Sequence, residues 1–163
     1  MKGESAVMRS RLAALILVSV ASASSALADG RMEEARKTFF DVAQRSYVDT
    51  VKYLEATNTN AAKSSAKQLH DNLDRLENPL LGIERFAKTQ PWLASRWETV
   101  MKLFGNVRTS TGLLEARIGE GSYSSELSTL KEYFVKFGDE FNKAYEEFKV
   151  FGKEFQANCD TCR

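Results

Sequence analysis

Histidine, cysteine and proline are nearly missing: the 163 residues hold one His, two Cys and two Pro. A single histidine leaves no Ser-His-Asp set to assemble. No HExxH pattern, no glycine-rich phosphate loop and no carboxylate pair at a strand end is present. Hydrolase and kinase chemistry has no carrier, and the chain reads as a non-enzyme. No stretch alternates apolar and polar residues between turn signals, so strands are not expected and the core must come from helix on helix. Low-complexity tracts and solenoid repeats are also absent. The longest apolar run, Leu12 to Val20, is far short of the ~20 residues that span a bilayer.

That run belongs to a targeting segment. Lys2, Arg9 and Arg11 precede it, and small residues ending Ala26-Leu27-Ala28 follow it, the layout of a signal peptide with an A-x-A cleavage site. Residues 1–28 are therefore expected to be removed, leaving a mature domain of residues 29–163 in a periplasm or outside the cell, with no membrane attachment. Of the 23 basic and 22 acidic residues, cleavage takes three and one, leaving 20 and 21 and a net charge of −1. Near neutrality argues against nucleic acid as a partner.

What is abundant is helical periodicity. From Leu127, steps of three and four reach Leu130, Phe134, Phe137, Phe141, Ala144, Phe148, Phe151 and Phe155, with charged residues on the other face. The next steps reach Cys159 and Cys162. Upstream, a first helix is expected over about Arg31–Thr57, with Phe40, Ala43, Tyr47, Val51 and Leu54 inward. Thr57 to Asn60 makes a turn. A second helix over about Ala61–Glu77 carries Leu69, Leu73 and Leu76, and Asn78-Pro79 should end it. Pro79–Gln90 then reads as a short helical connector. Pro91 opens a third helix, along which Leu93, Trp97, Val100, Phe104, Val107, Thr111, Leu114 and Ile118 alternate four and three. Gly119-Glu120-Gly121 breaks it, and the fourth helix begins near Ser122. The expected fold is all-α: an antiparallel four-helix bundle with a short helical connector between helices two and three.

This layout resembles the cytochrome c′ and cytochrome b562 family of periplasmic haem proteins. The resemblance covers the mature chain in architecture. Its details are the proline-bounded connector, Trp97 early in helix three, and the chain end from Phe148-Lys149-Val150-Phe151-Gly152-Lys153 to Arg163. Cytochromes c′ close their last helix with C-x-x-C-H, whose cysteines bind haem covalently and whose histidine ligates iron. Here the end reads Cys159-Asp160-Thr161-Cys162-Arg163. Arg163 stands at the histidine position, and guanidinium cannot ligate iron. Aligning Gly152-Lys153 and Arg163 without gaps instead puts Phe155 and Asn158 at the cysteine positions and Cys159 at the ligand position. The resemblance implies a bound haem, electron transfer or small-gas binding, and a redox partner protein. In the b562 type a methionine near the mature N-terminus is the second ligand, and Met32 matches it.

The residues leave several roles open. Cys159 and Cys162 share a helix face. They would serve as haem attachment points, Cys159 as a thiolate ligand to iron, or the two together as a disulfide or a dithiolate site for Cu(I). His70 sits beside Leu69 and Leu73 with Asp71 and Asp74 nearby; it is a metal ligand only where that flank of helix two turns inward, and otherwise a solvated side chain. The helix-four phenylalanines either wall a haem crevice or fill the bundle in its place. The rival to a cytochrome is thus a haem-free bundle acting as an interaction, thiol-redox or soft-metal module. A homodimer through helix faces suits either reading.

Overall fold

A computed structural model describes residues 28–158, with side chains as far as Phe151. The expected signal segment up to Leu27, the side chain of Phe155, and Cys159 and Cys162 lie outside the described residues. Among those described, every regular element is helical and they form four helices. α1 covers residues 28–55: it is α-helical over residues 28–37, π-helical over Thr38–Ala43 and α-helical again over Gln44–Glu55. α2 is Thr59–Ala87, α3 is Pro91–Ile118 and α4 is Ser124–Asn158.

The turns follow from local chemistry. Thr57 takes φ 55° to reverse the chain, and the Asn58 side chain accepts from the Ala61 N–H at 3.2 Å, capping a free donor of α2. Pro91 stands in the first turn of α3, where its missing N–H costs nothing. Gly121 supplies φ 73° after α3.

Cross-helix pairs run in opposite directions along every neighbouring couple. Ser46 and Arg31 of α1 meet Asn72 and Gly82 of α2. His70 and Glu77 of α2 meet Glu115 and Arg108 of α3. Trp92, Phe104 and Arg117 of α3 meet Phe151, Phe137 and Glu126 of α4. Glu33 and Tyr47 of α1 meet Tyr145 and Phe134 of α4. In each couple one number rises as the other falls, so the four helices form an antiparallel up-and-down bundle.

All eight expected α3 positions are buried, as are Leu130 to Phe148 of the α4 stripe. Two expectations are corrected. First, the connector between helices two and three does not exist. α2 runs through Pro79 to Ala87, and three residues, Lys88 to Gln90, link it to α3. An internal proline costs about 3 kcal/mol. Here Leu76, Pro79, Leu80, Ile83 and Ala87 continue the buried stripe, and full burial of Leu80 and Ile83 alone contributes about 1.5–3 kcal/mol each. Burial outweighs the lost backbone bond.

Second, α1 does not bury the line Phe40–Tyr47–Val51. Its fully buried line is Met32, Ala35, Phe39, Ala43, Ser46, Thr50 and Leu54. Phe40 and Tyr47 lie half-buried along the seam with α4, where Phe40 meets Phe141 at 6.4 Å and Tyr47 stacks on Phe134 at 4.5 Å. Ser46 and Thr50 tolerate the interior because each hydroxyl has a partner. Thr50 Oγ1 donates to the Ser46 carbonyl at 2.7 Å, Ser46 Oγ donates to the Val42 carbonyl, and Asn72 Nδ2 donates to Ser46 Oγ at 3.0 Å.

Candidate functional site

Of the sequence-predicted ligands, Met32 lies at the end of the bundle where α1 begins. At that end Met32 and Trp97 face the interior from α1 and α3 with 0% and 1% of their surface exposed. Ala28, Ala35, Ala87 and Ala144 join them in the core, with Ile83, Leu93 and Phe148. Both Trp97 and the start of α1 lie against the same stretch of α4: Trp97 meets Phe141, its neighbour Arg96 binds Glu140 and Glu147, and Glu33 binds Tyr145 and Lys149. The indole Nε1 of Trp97 is buried without a hydrogen-bond partner. An orphaned buried donor of this kind typically costs about 1–3 kcal/mol.

A charged cluster closes the outer side of this end. The Tyr145 hydroxyl donates to Glu33. Its ring, 5% exposed, has the Arg36 guanidinium 5.2 Å and the Lys149 ammonium 4.7 Å from its centroid. The hydrogen bond from Tyr145, reinforced by Lys149 and Arg36, holds the Glu33 carboxyl below the usual carboxylate range. Glu140 is lowered in the same sense, first by Lys143 and then by Arg96.

Both carboxylates have lower pKa values folded than unfolded. Their contribution to stability is therefore whole at neutral pH and is lost as pH falls through the folded-state values. Both groups are largely solvated, so the effect is small. Glu33→Gln is expected to lower the melting temperature by roughly 2–4 °C at pH 7 and by less at pH 3, where the carboxyl is being protonated. Melting curves at the two pH values check this; an equal loss at both would mean that Glu33 acts through packing rather than charge.

Among the described residues, the candidate haem ligands Met32 and His70 do not come together. His70 is not at this end and does not turn inward. It sits between α2 and α3 with its side chain 37% exposed, and its Nδ1 lies 3.2 Å from a Glu115 carboxylate oxygen. It precedes Gly82, which lies under Arg31, by twelve residues, or about 18 Å of helix. His70 and Met32 therefore cannot share one iron. Glu33, the residue after Met32, meets Tyr145 and, at 3.5 Å, Lys149 of α4. From Lys149, α4 rises about 13 Å to Asn158, the residue before Cys159. Among the described residues His70 is the one histidine or cysteine, and it lies too far from Met32 to share a ligand site. No group of three His, Cys, Asp or Glu among them is arranged to hold a metal ion.

Further along the core, the space between α1, α3 and α4 is closed by rings. Phe39 meets Phe134 at 4.9 Å and Phe137 at 4.8 Å, Phe137 meets Phe104 at 5.8 Å and Phe141 at 5.9 Å, and Trp97 closes on Phe141 at 6.2 Å. Gly138 accommodates this packing: a Cβ there would stand 3.3 Å from the Phe39 ring. The close approach that its glycine permits is made by a phenylalanine of α1.

Fold and site together define an all-α four-helix bundle with an aromatic core and a charged clasp at one end. No family model matches the chain, nor does any curated protein or solved structure. No described helix is long and apolar enough to cross a membrane. Sequence reasoning missed the clasp because Glu33 and Tyr145 are 112 residues apart and each looks like an ordinary polar residue of its own helix. It missed the orphaned indole because Trp97 keeps step with an apolar stripe that carries no sign of its nitrogen.

Proposed function

We propose that this chain is an exported four-helix-bundle interaction module that holds no haem in its core, its reactive element being the Cys159–Cys162 pair beyond the end of α4. The observation that carries this is the separation of the described donors: Met32 sits at the end of the bundle where its neighbour Glu33 meets Tyr145 and Lys149, and His70 is engaged with Glu115 between α2 and α3. The aromatic closure of the interior supports it. The reading keeps the bundle of the cytochrome c′/b562 resemblance and drops its cofactor. In an oxidising compartment the two thiols, three apart in sequence, are suited to a disulfide or a Cu(I) dithiolate.

The test is colour. The full precursor is expressed in a host with active c-type haem maturation, and the exported protein is purified. The expected product is folded, helical and colourless. A Soret band that stays on the chain through denaturing electrophoresis would overturn the proposal in favour of covalent attachment at Cys159 or Cys162. A band lost on denaturation would overturn it in favour of a non-covalent site at Met32.

A further inference from the structure

We propose that residues 29–37 are a hinged flap whose Met32 closes the end of the bundle that holds Trp97, with the π-helical turn Thr38–Ala43 as hinge and the Glu33–Tyr145 pair as latch. Three independent observations converge on this segment. Its hold on the core is light: its buried apolar residues are Met32 and Ala35, whereas α1 from Phe39 onward is anchored by Phe39, Phe40 and Tyr47 against α4. The boundary between the light and the heavy part is the π turn, where the Gln44 N–H reaches back to the Phe39 carbonyl instead of the Phe40 one. Wide turns of this kind inside α-helices mark places where helices bend and where function is sited.

The third observation supplies the driving force. The Trp97 N–H is buried without a partner, and Trp97 lies against the same stretch of α4 that Glu33 of the flap meets. Opening admits water to it, so the interior itself opposes closure. Polar ties on the surface oppose opening: Tyr145 and Lys149 hold Glu33, and Arg31 lies along α2 over Gly82. A segment with few apolar contacts, a bounded hinge and a surface latch opens as a unit rather than fraying residue by residue.

Amide exchange in heavy water on the full chain, followed residue by residue, tests this. The amides of residues 31–37 are expected to share one exchange-competent opening, with a step to slower exchange across Thr38–Ala43 into Gln44–Glu55. Tyr145→Phe keeps the ring and removes the latch. It is expected to speed exchange in residues 31–37 roughly tenfold while leaving Gln44–Glu55 unchanged. Deleting Val42, which removes the extra residue of the π turn, is expected to abolish the step. Exchange that slows smoothly from Ala28 inward would overturn the proposal, as would a step unmoved by both variants.

Discussion

Phe137→Ala is expected to lower the unfolding free energy by about 3–5 kcal/mol, the range for deleting a buried aromatic ring from a core that cannot collapse around the gap. Phe137 is fully buried. It is touched from three helices: by Phe39 of α1 edge-on at 4.8 Å, by Phe104 of α3 at 5.8 Å and by Phe141 of its own helix at 5.9 Å. Those neighbours are large rings in their own contacts, so none is free to move in, and the cavity should stay largely open. Urea unfolding checks this: the midpoint should fall while the slope stays that of the parent. The result also bears on function. A loss under about 1.5 kcal/mol would mean that the rings are loosely seated, and the closed interior that argues against a flat cofactor would lose its force.

Most of the architecture was legible in the sequence because three helices advertise one apolar stripe each. α3 is the clearest, with eight positions from Leu93 to Ile118 all buried. α1 was misread because apolarity and burial part company there. Its most buried positions include Ser46 and Thr50, whose hydroxyls are satisfied by carbonyls four residues back, so a hydrophobicity pattern passes over them and selects Phe40 and Tyr47 instead. Pro79 was misread for a related reason: a local rule about proline was applied where a tertiary stripe, Leu76 to Ala87, decides. The candidate site was legible only in part. Met32 does face the core. Whether another ligand faces it depends on the axial stagger of α1 against α4, which periodicity within each helix cannot reveal. That stagger was fixed only by pairs such as Glu33 with Tyr145.

Deleting Val42 is expected to leave the protein folded, whereas deleting Val135 is expected to prevent folding. Both valines are exposed, at 42% and 54%, so loss of the side chain is minor in each case and the backbone decides. In a regular α-helix each residue turns the chain by about 100°. Removing Val135 from α4 would rotate Leu130 away from the core relative to Phe137, Phe141, Ala144 and Phe148 and would bring charged residues inward, a cost of several burials at about 1.5–3 kcal/mol each. That exceeds what a domain of this size has to lose. In α1 the π turn already contains one residue more than an α turn would, as the Gln44 N–H to Phe39 carbonyl bond shows. Its removal restores an α turn and leaves the flanks where they stand: Met32, Ala35 and Phe39 on one side, Ala43, Ser46 and Thr50 on the other. Circular dichroism and thermal melts of the two deletions decide the matter. Full helicity and a cooperative melt for the Val42 deletion, beside a molten or insoluble Val135 deletion, would show that the wide turn is an insertion the fold does not need for stability. Its retention would then call for a different reason, which the hinge supplies. Collapse of both would mean that the π turn itself sets the register of α1 on the bundle.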